Sequence, residues 1–324
     1  MKLGVLTAVF YNSHPKFEDM LDKVKSLGLD AVEIGVGNYP GDTHCNAQEL
    51  LTSSEKIKSY KEEVEKRGLM ISALAVHGNP LHPNKDIARE HDKNIQNAIL
   101  LAEKLGVSVI TTFSGCPGGS DSDKFPNWVT CAWPDDYPEV LNWQWEEKVV
   151  PYWKKLAKMA KNHKVKIALE MHPGFVVYNT ETLLKLRENV GEVIGANFDP
   201  SHLFWQGIDP IASVKKIAEA GALFHIHAKD VEIDKDNTAL NGVLDTKSFV
   251  DIKNRSWLFR IVGYGNGYDW WKSFVSQLVK ENYDYVLSIE YEDALMSGEE
   301  GMRKTVKFLK EVAIKEKPTD IYWA

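Results

Sequence analysis

Residues 194–220 read IGANFDPSHLFWQGIDPIASVKKIAEA, and this stretch carries the plan of the whole chain. A short apolar run, 194–198, reads as a strand. A turn with polar groups follows, and 209–220 reads as a helix. The next apolar run, 223–228, starts the unit again. Working outward, apolar runs at 2–9, 31–36, 69–76, 107–113, 165–171 and 285–291 bring the strands to eight. Amphipathic stretches at 17–27, 54–67, 87–105, 143–163, 181–189, 268–281 and 299–315 supply the remaining helices. In the first of these, Phe17, Met20, Leu21, Val24 and Leu27 fall at helical spacing. Gly28, Gly68 and Gly106 stand where helix ends favour a left-handed residue. The strands are almost continuously apolar, as strands covered on both faces are. Eight such units in 324 residues predict an α/β fold, a closed (β/α)8 TIM barrel. A doubly wound open sheet is the alternative. One barrel domain is expected over 1–315. Residues 316–324, EKPTDIYWA, are expected to be a C-terminal extension packed outside the barrel or on another subunit.

Composition narrows the function classes. A hydrophobic fraction of 44% with 26% charged residues is that of an ordinary globular protein, which excludes a disordered or fibrous chain. The net charge of −7 argues against a general nucleic-acid binder. Cys45, Cys116 and Cys131 are too few and too scattered for a disulfide framework or a cysteine zinc site. The opening MKLGVLTAVFY reads as a first strand rather than a signal peptide. No stretch approaches the roughly 18 apolar residues of a membrane span. A cytoplasmic protein without nucleic-acid or membrane partners is expected, with a homo-oligomer an open option.

Two connections are long, 114–142 after strand four and 230–267 after strand seven. The first carries Trp128, Trp133 and Tyr137, with Trp143 and Trp145 just beyond. The second carries Trp257, Phe259, Arg260 and Tyr264. Both leave the strand ends where barrels place their chemistry, so they either roof a pocket or pack a subunit interface.

The last four strands end in polar groups. Strand five ends IALEMHPG (Glu170, His172) and strand six GANFDPSH (Asp199, His202). Strand seven ends FHIHAKD (His225, His227, Lys229, Asp230) and strand eight LSIEYED (Glu290, Glu292, Asp293). Neighbouring strands lie about 4.8 Å apart, so one group from each can converge on one ion. Side chains alternate along a strand. Ser288 and Glu290 therefore share the inner face of strand eight, His225, His227 and Lys229 that of strand seven, and Glu170 and His172 that of strand five. The resulting ligand set is Glu170, Asp199, His227 and Glu290. Three carboxylates and an imidazole suit Mn²⁺, Co²⁺, Mg²⁺ or Zn²⁺, with Mn²⁺ first. Without a cation, three buried carboxylates would repel one another. Any one of these residues alone would read as a salt bridge or a core histidine. Four on consecutive strands read as a metal centre. His77 and His82 end strand three and are candidates for substrate or a second ion. Glu33 ends strand two and either lines the site or caps a helix. His172 either supports Glu170 or touches substrate. Cys116 has no base in view and reads as structural. GYGNG, 263–267, lacks the strand–loop–helix setting of a phosphate loop.

The segments IALEMHPG, GANFDPSHLFWQG, FHIHAKD and LSIEYED resemble the sugar phosphate isomerase/epimerase family, with its xylose isomerase-like barrel and its ketose 3-epimerases; endonuclease IV is a more distant relative. The resemblance implies that Glu170, Asp199, His227 and Glu290 bind one metal. It also implies that Glu170 and Glu290 form the acid/base pair, one on each face of a sugar, and that His202 contacts substrate oxygens. The family's substrate-binding arginine after strand seven maps most closely on Arg260, with Lys229 able to fill a similar role. No phosphate cradle is visible, so a phosphorylated substrate is not expected.

These residue types suit proton transfer next to a carbonyl through an enediolate. Returning the proton to the same carbon from the other face epimerises; returning it to the neighbouring carbon isomerises. The same abstraction could expel a group β to the carbonyl of a 3-keto glycoside. Phosphodiester cleavage and a non-catalytic sugar-binding role are the readings from other classes. The acidic charge weighs against phosphodiester cleavage.

Overall fold

The computed structural model describes residues 1–316 and 323. Its strands are β1 (Lys2–Leu6), β2 (Ala31–Gly35), β3 (Met70–Ala75), β4 (Val109–Thr112), β5 (Lys166–Glu170), β6 (Ile194–Phe198), β7 (Leu223–Ala228), β8 (Asp230–Ile233), β9 (Trp257–Arg260) and β10 (Val286–Ile289). Eight of them close into a parallel barrel in the order β1-β10-β7-β6-β5-β4-β3-β2. Closure disposes of the open-sheet alternative, and β10 is the eighth barrel strand anticipated from the sequence. The remaining two, β8 and β9, form a separate antiparallel ribbon. The extension expected at 316–324 lies outside the described residues except at its first residue and Trp323.

The outward side chains of the barrel are buried under the helices. Leu3 and Val5, Ile167 and Leu169, and Leu287 and Ile289 lie in one core cluster with helix residues such as Met20, Ile99, Trp153, Phe274 and Leu309. Inside the barrel, Ala73, Val109, Ala168 and Phe224 form a small apolar plug. Two register shifts sit beside the polar interior. Glu33 pairs with Ala73 although Val32 pairs with Ile71, so Ser72 is the extra residue. Asn197 pairs with His225 although Ala196 pairs with Leu223, so Phe224 is the extra residue. Such bulges re-aim side chains near active sites.

The helix expected at 143–163 starts earlier. It runs as Asp136–Trp143, then a π-helical turn Gln144–Val149, then Val150–Asn162. Pro151 cannot donate a backbone hydrogen bond to the preceding turn, and a widened turn accommodates this. The turn also aims Gln144 inward, where Nε2 donates to the carbonyls of Gly118 (2.9 Å) and Asn127 (2.7 Å). The loop carrying Trp128 is thereby held against the barrel.

The stretch after β7, anticipated as loop, contains the ribbon and a helix, Lys235–Asn241. Its return to the barrel is fixed by Asp230. That carboxylate accepts from the backbone N–H groups of Gly263 (3.0 Å), Gly265 (3.3 Å) and Asn266 (2.9 Å), and from the Trp271 indole (3.2 Å). GYGNG is therefore an anion-binding loop whose anion is the protein's own side chain. Replacing Asp230 with Ala would leave these donors buried and unpaired. The expected loss is on the order of 3 kcal/mol, read as a Tm several degrees lower; an unchanged Tm would refute the latch.

Candidate metal centre

The mouth of the barrel gathers the four strand-end residues. Glu170, Asp199, His227 and Glu290 offer ligand atoms that all lie within 4.8 Å of one another. His227 Nδ1 stands 3.1 Å from Glu170 Oε2 and 3.0 Å from Glu290 Oε2. His202 Nε2 lies 3.1 Å from Glu170 Oε1 and 3.2 Å from Asp199 Oδ2. His77 Nε2 reaches Glu170 Oε2 at 3.1 Å. Lys229 Nζ sits 3.0 Å from Glu290, 2.9 Å from Glu292 and 3.4 Å from Asp199, with its ammonium over the Phe259 ring.

These contacts set the protonation states. Burial pushes the Glu170 carboxyl up, but hydrogen bonds from His202 and His227 outweigh it and hold Glu170 well below the usual range. Burial acts the same way on Glu290, where the Lys229 ammonium and His227 prevail and bring it down to about 2. Lys229 is raised by Glu290 and Glu292 against the effect of burial and stays an ammonium. His172 is pushed down to about 3 by burial and by His202, so its ring is neutral. Its Nδ1 donates to the Pro173 carbonyl at 2.6 Å, and its ring packs on Phe113 and His202.

Two clusters in the described residues have the composition of a metal site, and they share His227. The inner one is Glu33, His225 and His227. Its atoms are already paired. Glu33 accepts from Thr111, Ser288 and His227, and His225 is held by Asn197 and Ser72. The outer cluster is different. Asp199 Oδ2 is buried with only the loose approaches of His202 and Lys229 and no well-directed hydrogen bond, while Glu170 and Glu290 share one imidazole nitrogen of His227. That donor set fits a divalent cation, and the outer cluster is the candidate metal centre.

Above it opens a cavity of about 770 Å³. Glu170, His172, His202, Lys229 and Glu290 line its polar end, and Phe113, Trp128, Trp205, Phe249, Trp257 and Phe259 its apolar walls. Trp133, Tyr137 and Tyr264, from the same two connections, are exposed and stand outside its lining.

Arg260 does not reach this cavity. Its guanidinium is held by Asp293 (Nε to Oδ2, 3.0 Å) and by Glu232. Arg260 ends β9, where these two carboxylates hold its guanidinium, while Trp257, Leu258 and Phe259 before it line the cavity. Arg255 lines the cavity in its place, with its guanidinium over the Phe249 and Trp257 rings. His82 also lies away from the site, accepting from the Asn84 backbone N–H at 2.9 Å. Cys116 is fully buried, and burial pushes its thiol up to about 12, so it offers no thiolate. Sequence reasoning missed Asn197, which joins His225 to Glu170 (Nδ2 to Oε2, 3.0 Å). The available signal was its place two residues before Asp199, a lone amide in an apolar strand.

The family described as xylose isomerase-like TIM barrel matches residues 21–312. A Bacillus subtilis (strain 168) chain, uncharacterized protein YfiH, is 42% identical over 314 residues, covering 96% of this chain and 99% of its own length. A D-tagatose 3-epimerase-like protein superposes with a TM-score of 0.63 at 21% identity, covering 96% of this chain and 98% of that one. IolI protein, solved with a bound zinc atom, gives a TM-score of 0.63 at 19% identity over 96% and 98% of the two chains. Ketose 3-epimerases and a 3-keto-D-glucoside 4-epimerase are also among the solved neighbours. At these identities the superpositions show the fold alone.

A divalent ion held by the outer cluster would stabilise the folded chain. Added Zn²⁺ or Co²⁺ at about 100 times its Kd is expected to contribute about 2.7 kcal/mol, seen as a Tm several degrees higher. Asp199→Asn should lose most of that rise, and a wild-type Tm indifferent to both metals would remove the metal centre.

Proposed function

The chain belongs to the xylose isomerase-like TIM barrel family, and from that membership we propose that it is a divalent-metal-dependent sugar isomerase or epimerase. The observation that carries the reading is the convergence of Glu170, Asp199, His227 and Glu290, two of which, Glu170 and Glu290, line a cavity at the barrel mouth. The epimerase and isomerase neighbours support it, and the zinc in IolI supports a metal in this fold. Glu170, Asp199, His227 and Glu290 would hold the ion. When bound, it supplies Lewis-acid polarisation of a carbonyl and stabilises the charge of a developing enediolate.

The chain's own residues do the remainder. Glu170 and Glu290 both line the cavity and both are held in the low-pKa state, ready to accept a proton. One takes the proton from the carbon next to the carbonyl. The other takes up a proton from water and delivers it to that carbon from the opposite side, and the first releases its proton to solvent. His202 braces Glu170 and Asp199 and faces the cavity, where it would meet a substrate hydroxyl. Lys229 and neutral His172 offer further polar contacts on the same wall. The aromatic walls exclude water from the enediolate. The cations near the cavity are already engaged: Lys229 by carboxylates, Lys247 by Asp245, Arg255 by backbone carbonyls and rings. An unphosphorylated substrate suits such a wall.

Solvent exchange tests the reading. Metal-loaded protein incubated with ketoses in D2O should introduce deuterium next to the carbonyl. Glu290→Gln should slow that exchange by at least about 10²-fold and weaken metal binding. Full activity in Glu290→Gln would remove its acid/base role.

The size and aromatic lining of the cavity favour one second reading, elimination from a 3-keto glycoside after the same proton abstraction. Released aglycone in the same assay would mark a lyase. Exchange with the glycosidic bond intact would mark an epimerase.

A further inference from the structure

Glu33 is a carboxylate with no exposed surface, and its partners among the described residues are hydroxyls and imidazoles, an arrangement that is costly unless every oxygen is satisfied. It is satisfied by three donors. Thr111 Oγ1 donates to Oε1 at 2.7 Å, Ser288 Oγ donates to Oε2 at 2.7 Å, and His227 Nε2 lies 2.9 Å from Oε2. The three donors come from different strands, β4, β10 and β7, so the carboxylate is gripped from across the barrel. The opposite ring nitrogen, His227 Nδ1, faces Glu170 and Glu290. Which nitrogen of a histidine can ligate is decided by the hydrogen bond the other one makes.

We propose that Glu33 is the positioning residue for His227: it holds the Nε2 proton, fixes the tautomer with its lone pair on Nδ1, and sets the ring's angle toward the ion. Thr111 and Ser288 lock Glu33 in turn. The bulge that pairs Glu33 with Ala73 is the backbone device that delivers the carboxylate to that place. The inference rests on the metal reading of the outer cluster and adds a residue that touches neither metal nor substrate.

The test uses the full chain with zinc or cobalt alone. Long-range ¹H–¹⁵N correlation spectra of ¹⁵N-histidine-labelled protein loaded with Zn²⁺ should show His227 protonated on Nε2 and coordinated through Nδ1. Apo protein titrated with Co²⁺, followed by visible absorption, should give a Kd about 10- to 100-fold weaker in Glu33→Gln and Glu33→Ala. Thr111→Val and Ser288→Ala, which leave Glu33 in place, should weaken it less. Coordination through Nε2 in the wild type, or folded Glu33 variants that keep affinity within about twofold, would overturn the proposal. Should the Glu33 variants not fold, the wild-type spectrum decides alone. A wild type that takes up neither metal would instead bring down the metal reading itself, and this inference with it.

Discussion

Like charges confined to one buried place are the constraint around which this molecule is arranged. Glu170, Asp199 and Glu290 meet at the barrel mouth, where low dielectric makes their repulsion far stronger than in water. What the chain supplies against it is specific. His227 stands between Glu170 and Glu290, Lys229 between Asp199, Glu290 and Glu292, and His202 between Glu170 and Asp199. Each of these partners belongs to the same few strand ends as the acids it faces. These strand ends lie side by side in the order β5, β6, β7, β10.

Beneath that layer the interior is polar to an unusual depth. Glu33, Ser72, Thr111, Asn197, His225 and Ser288 are all fully buried, and each is hydrogen-bonded to another member or to its strand neighbours. Such a network tolerates little loosening, since any unpaired member costs its desolvation. It gives the mouth a rigid floor. The apolar plug of Ala73, Val109, Ala168 and Phe224 then closes the far end.

Much of this was legible from period-two alternation. It places Ser288 with Glu290, and His225 and His227 with Lys229, because a parallel strand covered on both sides has one inner face and one outer. The eight units were legible because apolar runs and amphipathic stretches differ in length and period. The bulges at Ser72 and Phe224 were not, since one extra residue leaves composition and pattern almost untouched. The ribbon was not, because its strands have four residues each and pair across more than twenty intervening positions. Arg260 followed from that miss: its place depends on the ribbon, whose end sets it against Glu232 and Asp293. Asp230 reads in sequence as one more acid at a strand end, and only the folded return of GYGNG makes it a latch.

The ribbon has a consequence for how this scaffold can diverge. Its hydrogen bonds are made within β8 and β9, and none of them belongs to the barrel's own ladder. Substitutions along Trp257–Arg260 therefore strain the ribbon and its moorings on Trp205 and Asp293 rather than the staves, so this cover can be re-tailored to new molecular outlines while the barrel beneath keeps its ladder.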